Sequence, residues 1–118
     1  MSAPNVVNVI TFTGKSSVLA PTITPTAIIA NSANSGQVYK VNSLVVANIS
    51  GSAATISASL YRNSTQSYFA YNISVPVGAT LVVMDKATTI YLEEGDAVYL
   101  TTGTNSALSA VISYEILS

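Results

Sequence analysis

Residues 54–75 read ATISASLYRNSTQSYFAYNISV, and they decide the fold. In the first half Ala54, Ile56, Ala58 and Leu60 alternate with Thr55, Ser57, Ser59 and Tyr61. That period of two is the pattern of a strand with one buried and one wet face. The second half places Phe69, Tyr71, Ile73 and Val75 on one side and Tyr68, Ala70, Asn72 and Ser74 on the other. Between them NSTQS (63–67) supplies turn chemistry, because Asn and Ser hydrogen-bond back to their own backbone. The spacing predicts an antiparallel hairpin with one solvated face.

The same grammar extends in both directions. Upstream, VYKVNSLVVANI (38–49) puts Tyr39, Val41, Val45, Ala47 and Ile49 on a shared side, and SGSA (50–53) turns the chain. Downstream, VPVGATLVVM (75–84) carries a Pro-x-Gly corner at Pro76 and Gly78 into a short strand. TTIYL and AVYLTT follow, and GTNSA (103–107) turns into LSAVISYEIL, whose inward row is Leu108, Ala110, Ile112, Tyr114 and Ile116. No window of a dozen residues carries a helical apolar stripe. Six to eight strands at intervals of about ten residues predict an all-β antiparallel β-sandwich, jelly-roll or Ig-like, with a small barrel fitting the same spacing.

Residues 1–36 differ in character. LAPTITPTAIIANSANSG has two prolines four residues apart, a β-branched run and a polar turn. Pro21 and Pro25 would interrupt a central strand, so residues 1–36 are expected to form an extended N-terminal arm or edge-strand segment, and 37–118 the sandwich domain. An apolar arm outside a sandwich needs something to lie against. Pro21, Ile23, Pro25, Ile28 and Ile29 are therefore the expected contacts with sister copies or a capsid.

The composition narrows the function. Of 118 residues 49% are hydrophobic and only 8% charged, against about 25% charged in an ordinary soluble protein. A surface so poor in charge is weakly protected against association. The net charge of −1 and four scattered basic residues, Lys15, Lys40, Arg62 and Lys86, give neither a nucleic-acid footprint nor a polybasic membrane patch. No run reaches the roughly 20 apolar residues of a spanning helix. The first fifteen residues lack the pattern of a signal peptide, so synthesis in a cytoplasm is expected.

With no His and no Cys, Ser-His and Cys-His nucleophiles and most zinc sites are excluded. No glycine-rich phosphate cradle occurs. The remaining chemistry lies in YLEEGDAVYL (91–100), where Glu93, Glu94 and Asp96 put three carboxylates within four positions. A carboxylate pair for glycoside hydrolysis also needs a sugar platform, and the chain has no Trp. Calcium needs more oxygen ligands than this short turn offers. The simplest reading is a strand, a polar turn defined by Gly95 and Asp96, and another strand, with the acids keeping the corner wet. Gly78 is the corresponding turn-defining residue of the Pro-x-Gly corner. No enzyme activity, metal or cofactor is expected. Tyr61, Tyr68 and Tyr71 suit either a binding patch or cross-strand pairing. The sequons at Asn48, Asn63 and Asn72 read as accidents of an Asn- and Ser-rich chain.

Three stretches, YKVNSLVVANISGSAATISASLY, ISVPVGATLVV and IYLEEGDAVYLTTGTNSALSAVISYEIL, together resemble small β-sandwich virion structural proteins of tailed bacteriophages, cyanophages included. The carriers are Asn48, Ser50, Pro76, Gly78, Gly95, Asp96, Ser113, Tyr114 and Ile116, over about residues 37–118. The resemblance implies a non-enzymatic virion protein, most simply a capsid decoration (cement) protein made in the host cytoplasm. Its partners would be sister copies, with a trimer preferred, and the major capsid protein or another virion protein. A neck, baseplate or tail-fibre-associated location, or a loop-based module binding host-surface glycans, are the alternatives.

Overall fold

The computed structural model describes residues 12–85 and 89–117. They form nine strands: β1 (Phe12–Leu19), β2 (Thr26–Ala30), β3 (Val38–Asn48), β4 (Ala54–Arg62), β5 (Thr65–Val75), β6 (Thr80–Met84), β7 (Ile90–Leu92), β8 (Ala97–Thr102) and β9 (Leu108–Leu117). All pairings are antiparallel. One sheet, here sheet A, runs β1-β9-β3-β6 with β7 also paired to β3; sheet B runs β2-β8-β4-β5. With β6 and β7 counted as two halves of one interrupted strand, this is the connectivity of an eight-stranded jelly roll. Of the two sandwich types expected, the strand order selects this one.

The 54–75 hairpin closes through Asn63 and Ser64, both at left-handed φ (52° and 60°), the geometry of a two-residue type I′ turn whose twist matches the flanking strands. The turn is thus tighter than the five-residue NSTQS loop expected. The facing pattern of β4 matches the alternation, with Ala54, Ile56 and Ala58 buried. That of β5 does not. β5 spends two extra residues against β4, one between Ile73 and Ala70 and one between Ala70 and Tyr68. Asn72 adopts φ 49° at the first of these bulges. Each bulge reverses the in-out phase, so Ala70 packs on the core while Tyr71 is 63% exposed.

β3 corrects the alternation in the same way. Val41 pairs with Tyr114 but Ser43 with Ser113, leaving Asn42 as an extra residue. Tyr39 and Val41 face the core as expected; beyond the bulge Leu44 and Val46 are fully buried. Val45 and Ala47, expected on the inner row, lie on the other face, and Ile49 is exposed. A further irregularity, between Ala27 and Ile29 of β2, buries the successive residues Ile28 and Ile29 together.

Residues 12–36 are not an arm reaching away from the sandwich. β1 pairs along its whole length with β9 at the edge of sheet A, and β2 pairs with β8 at the edge of sheet B. Pro21 and Pro25 sit in the link that carries the chain from one sheet to the other. The boundary at 36/37 therefore separates no independent body, and residues 1–11 of the expected arm lie outside the described residues.

The core fills the space between the sheets with Val41, Leu44, Val46, Ile56, Val75, Leu92, Val98, Leu100, Leu108 and Ile112, all inaccessible to solvent. Tyr39 and Tyr114 stack at one end of it, ring centroids 5.4 Å apart. The outer face of sheet A has a different order. Val18 pairs with Val111, Val111 with Val45, and Val45 with Val82, one straight row across four strands. Ser16, Ser113 and Ser43 form the row on one side of it, and Ser109, Ala47 and Thr80 the row on the other.

The bulge at Asn42 makes adjacent residues unequal. Leu44→Ala should cost about 2–5 kcal/mol of unfolding free energy, and Val45→Ala about 1 kcal/mol or less, as read by urea denaturation. Equal costs would contradict the phase described. Burial first, and the neighbouring Tyr39 second, raise the Tyr114 hydroxyl above its ordinary 10.0. The unfolded chain then loses this proton first as pH rises, so the contribution is complete below about pH 10 and is lost as pH rises through the folded-state value. Tyr114→Phe should accordingly flatten the alkaline decline of Tm.

Candidate functional site

The acidic stretch is the place where the chain changes sheets. β7 ends at Leu92 in sheet A and β8 begins at Ala97 in sheet B. The four residues between them, Glu93 to Asp96, form a turn closed by the Asp96 N–H donating to the Glu93 carbonyl at 3.0 Å. Gly95 has φ 88°, the left-handed value that the third position of a type II turn requires. It is a corner between sheets and not the tip of a hairpin, because β7 pairs with β3 whereas β8 pairs with β2 and β4. Gly78 plays the matching part at the other corner, with φ 71° and the Ala79 N–H donating to the Pro76 carbonyl at 3.1 Å.

Asp96 does not keep this corner wet. Its side chain is 4% exposed, and a carboxylate so placed needs donors on its oxygens. Arg62 at the end of β4 supplies them as a fork: Nε lies 3.0 Å from both oxygens and Nη2 2.6 Å from Oδ2. The Glu93 backbone N–H donates to Oδ2 at 2.8 Å. Glu93 itself is exposed and reaches Arg62 Nη2 at 3.3 Å. The hydrogen bond to Asp96 raises the Arg62 pKa; partial burial opposes it, and the charges of Asp96 and then Glu93 add to it. Glu94 turns the other way and accepts from the Gly36 N–H at 2.7 Å.

Asn31 completes the clasp. Its Nδ2 donates to the carbonyls of Gln37 and Leu92 at 2.9 and 3.0 Å, and its Oδ1 accepts from the Ser35 hydroxyl at 2.6 Å. Its backbone exchanges bonds with the corner, N–H to the Asp96 carbonyl and carbonyl from the Gly95 N–H, both 2.8 Å. The NSANSG turn is thereby tied to the EEGD turn. Both Asp96 oxygens are engaged by donors, Glu94 is engaged by backbone, and Glu93 points to solvent. The arrangement holds strands together and presents no acid-base pair facing a cleft. Among the described residues no group of three or more carboxylates converges as a metal site.

The expected contact residues divide. Pro21, Ile28 and Ile29 are buried in the chain's own interior, which corrects their assignment as contacts with another molecule: their apolar surface is already spent on the core. Ile23 and Pro25 are exposed in the link between β1 and β2. Sequence reasoning missed the partnership of Arg62 with Asp96 and the part played by Asn31. Thirty-four positions separate the first pair, and no local pattern signals it.

On the outer face of sheet B the tyrosines meet in pairs, one across strands and one within β5. Tyr61 stacks on Tyr99 with centroids 5.0 Å apart, and Tyr68 meets Tyr71 edge-on at 5.0 Å. Ser59, in register with Tyr99 on one side and Tyr68 on the other, is buried with its hydroxyl unpaired. A cleft of about 210 Å³ opens between the sheets, lined by Phe69, Val83, Met84 and Ile90; these side chains offer packing and no reactive group. Of the sequons, Asn48 is buried, its amide bonded to the carbonyls of Ser52 and Val75, and cannot accept a glycan in the folded chain.

No protein-family model matches the chain, and no curated protein does. Among solved structures it is similar to a chain of the Bacillus endospore appendages, a family of disulfide-linked pili, with 16% identity, TM-score 0.54 and coverage of 91% of this chain and 85% of that one. At that identity the likeness shows a shared fold. A similarity to the nucleoplasmin-like N-terminal domain of Drosophila FKBP39 has TM-score 0.43 and 12% identity over 87% of each chain, and carries no argument.

The clasp can be tested by a thermodynamic cycle. Arg62→Met should destabilise the chain by about 2–4 kcal/mol, because it leaves a buried carboxylate unpaired. In an Asp96→Asn background the same change should cost at least ~1 kcal/mol less. Urea unfolding of the four proteins measures both, and additive costs would refute the coupling.

Proposed function

We propose that this protein is a non-enzymatic structural subunit that works by adhesion, and that the body it builds into is a phage virion, which it coats as a capsid decoration protein. The observation that carries the reading is the nature of the exposed surface. Large apolar side chains stand in water on both outer faces, among them Val18, Val82 and Tyr71, on a chain with only nine charged residues. Exposed apolar area of this kind marks surfaces that become covered, and hydroxyl-bearing neighbours can pair with another protein without the cost of stripping water from charges.

The interior supports the same reading. Three of its buried polar groups, Asp96, Asn31 and Asn48, are committed to holding turns and strands. The pilus likeness is one of fold; the Cys-free chain has no means of joining copies through disulfides. The choice of a virion rests on the resemblance carried by Asn48, Ser50, Pro76, Gly78, Gly95, Asp96, Ser113, Tyr114 and Ile116.

Particles produced by cells that make the protein, banded by density and then dissociated, should yield the chain in fixed proportion to the major capsid protein. Its absence from banded particles overturns the virion reading. Binding of the purified chain to envelope sugars on a glycan array, without binding to particles, would replace adhesion to the capsid with host recognition.

A further inference from the structure

We infer that the outer face of sheet A is a two-fold interface between copies of this chain, centred on the row Val18, Val111, Val45 and Val82. The inference deepens the adhesive reading above and rests on it only for the expectation of self-association.

Four features point to a second copy as the occupant. The first is exposure: Val18 is 72%, Val82 56% and Val111 36% accessible, although β-branched side chains in register on four strands form an apolar ledge that invites covering. The second is charge. The paired residues of the valine row and of the two rows beside it are Val, Ser, Ala and Thr, so the patch offers little charge by which an acidic or basic partner would be selected; the exposed Asp85, just past β6, stands at its border. In the next row Lys40 and Glu115 stand opposite one another, and this pair of opposite signs is as compatible with its own copy as with anything else.

The third feature is symmetry. A straight row of four like side chains is its own image under a two-fold axis lying in the plane of contact. With the axis along the row, each valine meets its counterpart; with the axis along the strands, Val18 meets Val82 and Val111 meets Val45. Valine covers valine in both cases, the self-complementarity that an isologous contact demands. A three-fold ring would need two different patches that fit each other, so this face fits a dimer and not the trimer preferred on sequence grounds.

The fourth is size. β1, β9 and β3 are 8, 10 and 11 residues long. With the five residues of β6, strands spaced ~4.8 Å apart with a rise of ~3.3 Å per residue give a face of about 540 Å² in flat projection, with a larger accessible area. A standard interface buries about 800 Å² per partner, so the face is large enough for a specific dimer.

Sedimentation velocity on the full chain over a range of concentrations tests the proposal. The wild type should sediment as a dimer, twice the 12.2 kDa of one chain. Val18→Lys and Val82→Lys, each at an exposed position where the monomer tolerates a long polar side chain, should raise the dissociation constant at least ~10-fold, because each dimer then takes two ammonium groups out of water. Their circular dichroism should stay that of the wild type, and Tyr71→Lys on the opposite sheet should leave the dimer intact. A monomeric wild type overturns the interface, while particle adhesion is judged separately by recovery in banded virions. A wild-type oligomer that persists in both lysine variants overturns the face alone, and so does dissociation caused by Tyr71→Lys and not by Val82→Lys. Should one lysine variant fail to fold, the other decides.

Discussion

The buried carboxylate of Asp96 is the constraint on which this end of the sandwich depends. An ion taken out of water must be met by donors already in place, and the donors here come from distant parts of the chain. Arg62 reaches it from the end of β4, and the Glu93 N–H from within the turn. Both requirements are satisfied only when β4 and β8 hold their register, with Tyr61 opposite Ala97. The Asn31 turn is bonded to the same four residues, so β2 is brought to the other side of β8. One charged group thus specifies how three strands of sheet B meet β7 of sheet A. The Arg62 side chain remains 40% accessible, and the pair acts more by choosing a geometry than by adding net stability.

Bulges set the second level of order. A jelly roll needs long strands to bend around a small core, and β3, β5 and β2 do so by admitting extra residues at or beside Asn42, Asn72 and Ile28. Each insertion exchanges the inner and outer faces beyond it. The consequences differ. In β2 the insertion lets two consecutive isoleucines be buried. In β3 it sends Leu44 and Val46 inward and places Val45 in the outer valine row. That row therefore exists because of a bulge on a central strand, which connects the packing of the core to the chemistry of the surface.

The outer faces suit a body that is meant to be covered. Sheet A presents an aliphatic ledge bordered by serine, and sheet B a set of paired tyrosines over buried serines. The two chemically distinct faces lie on opposite sides of the sandwich, so the proposed contact with a sister copy through sheet A would leave sheet B open for a second role. Tyrosines suit the second role because a ring can be dry while its hydroxyl stays paired. The acidic corner lies apart from this division of labour, since its charges are used to join strands.

Taken alone, the chain's alternating Val, Ile, Thr and Ser, broken by short Gly, Asn and Pro turns, determined an antiparallel sandwich, because period-two patterning and turn chemistry are local properties. The corners at Gly78 and Gly95, the 54–75 hairpin and the lack of histidine and cysteine chemistry were legible for the same reason. Facing became unreadable after each bulge, since an inserted residue leaves no mark in composition yet reverses every position beyond it. The part taken by residues 12–36 was half legible: the prolines announce a break and an edge, but only long-range pairing shows that β1 and β2 are those edges, one on each sheet. Asp96 shows the limit most clearly. Its place in a turn could be read from EEGD, whereas its burial could not, because the arginine that makes burial tolerable arrives from another strand once the sheets have formed.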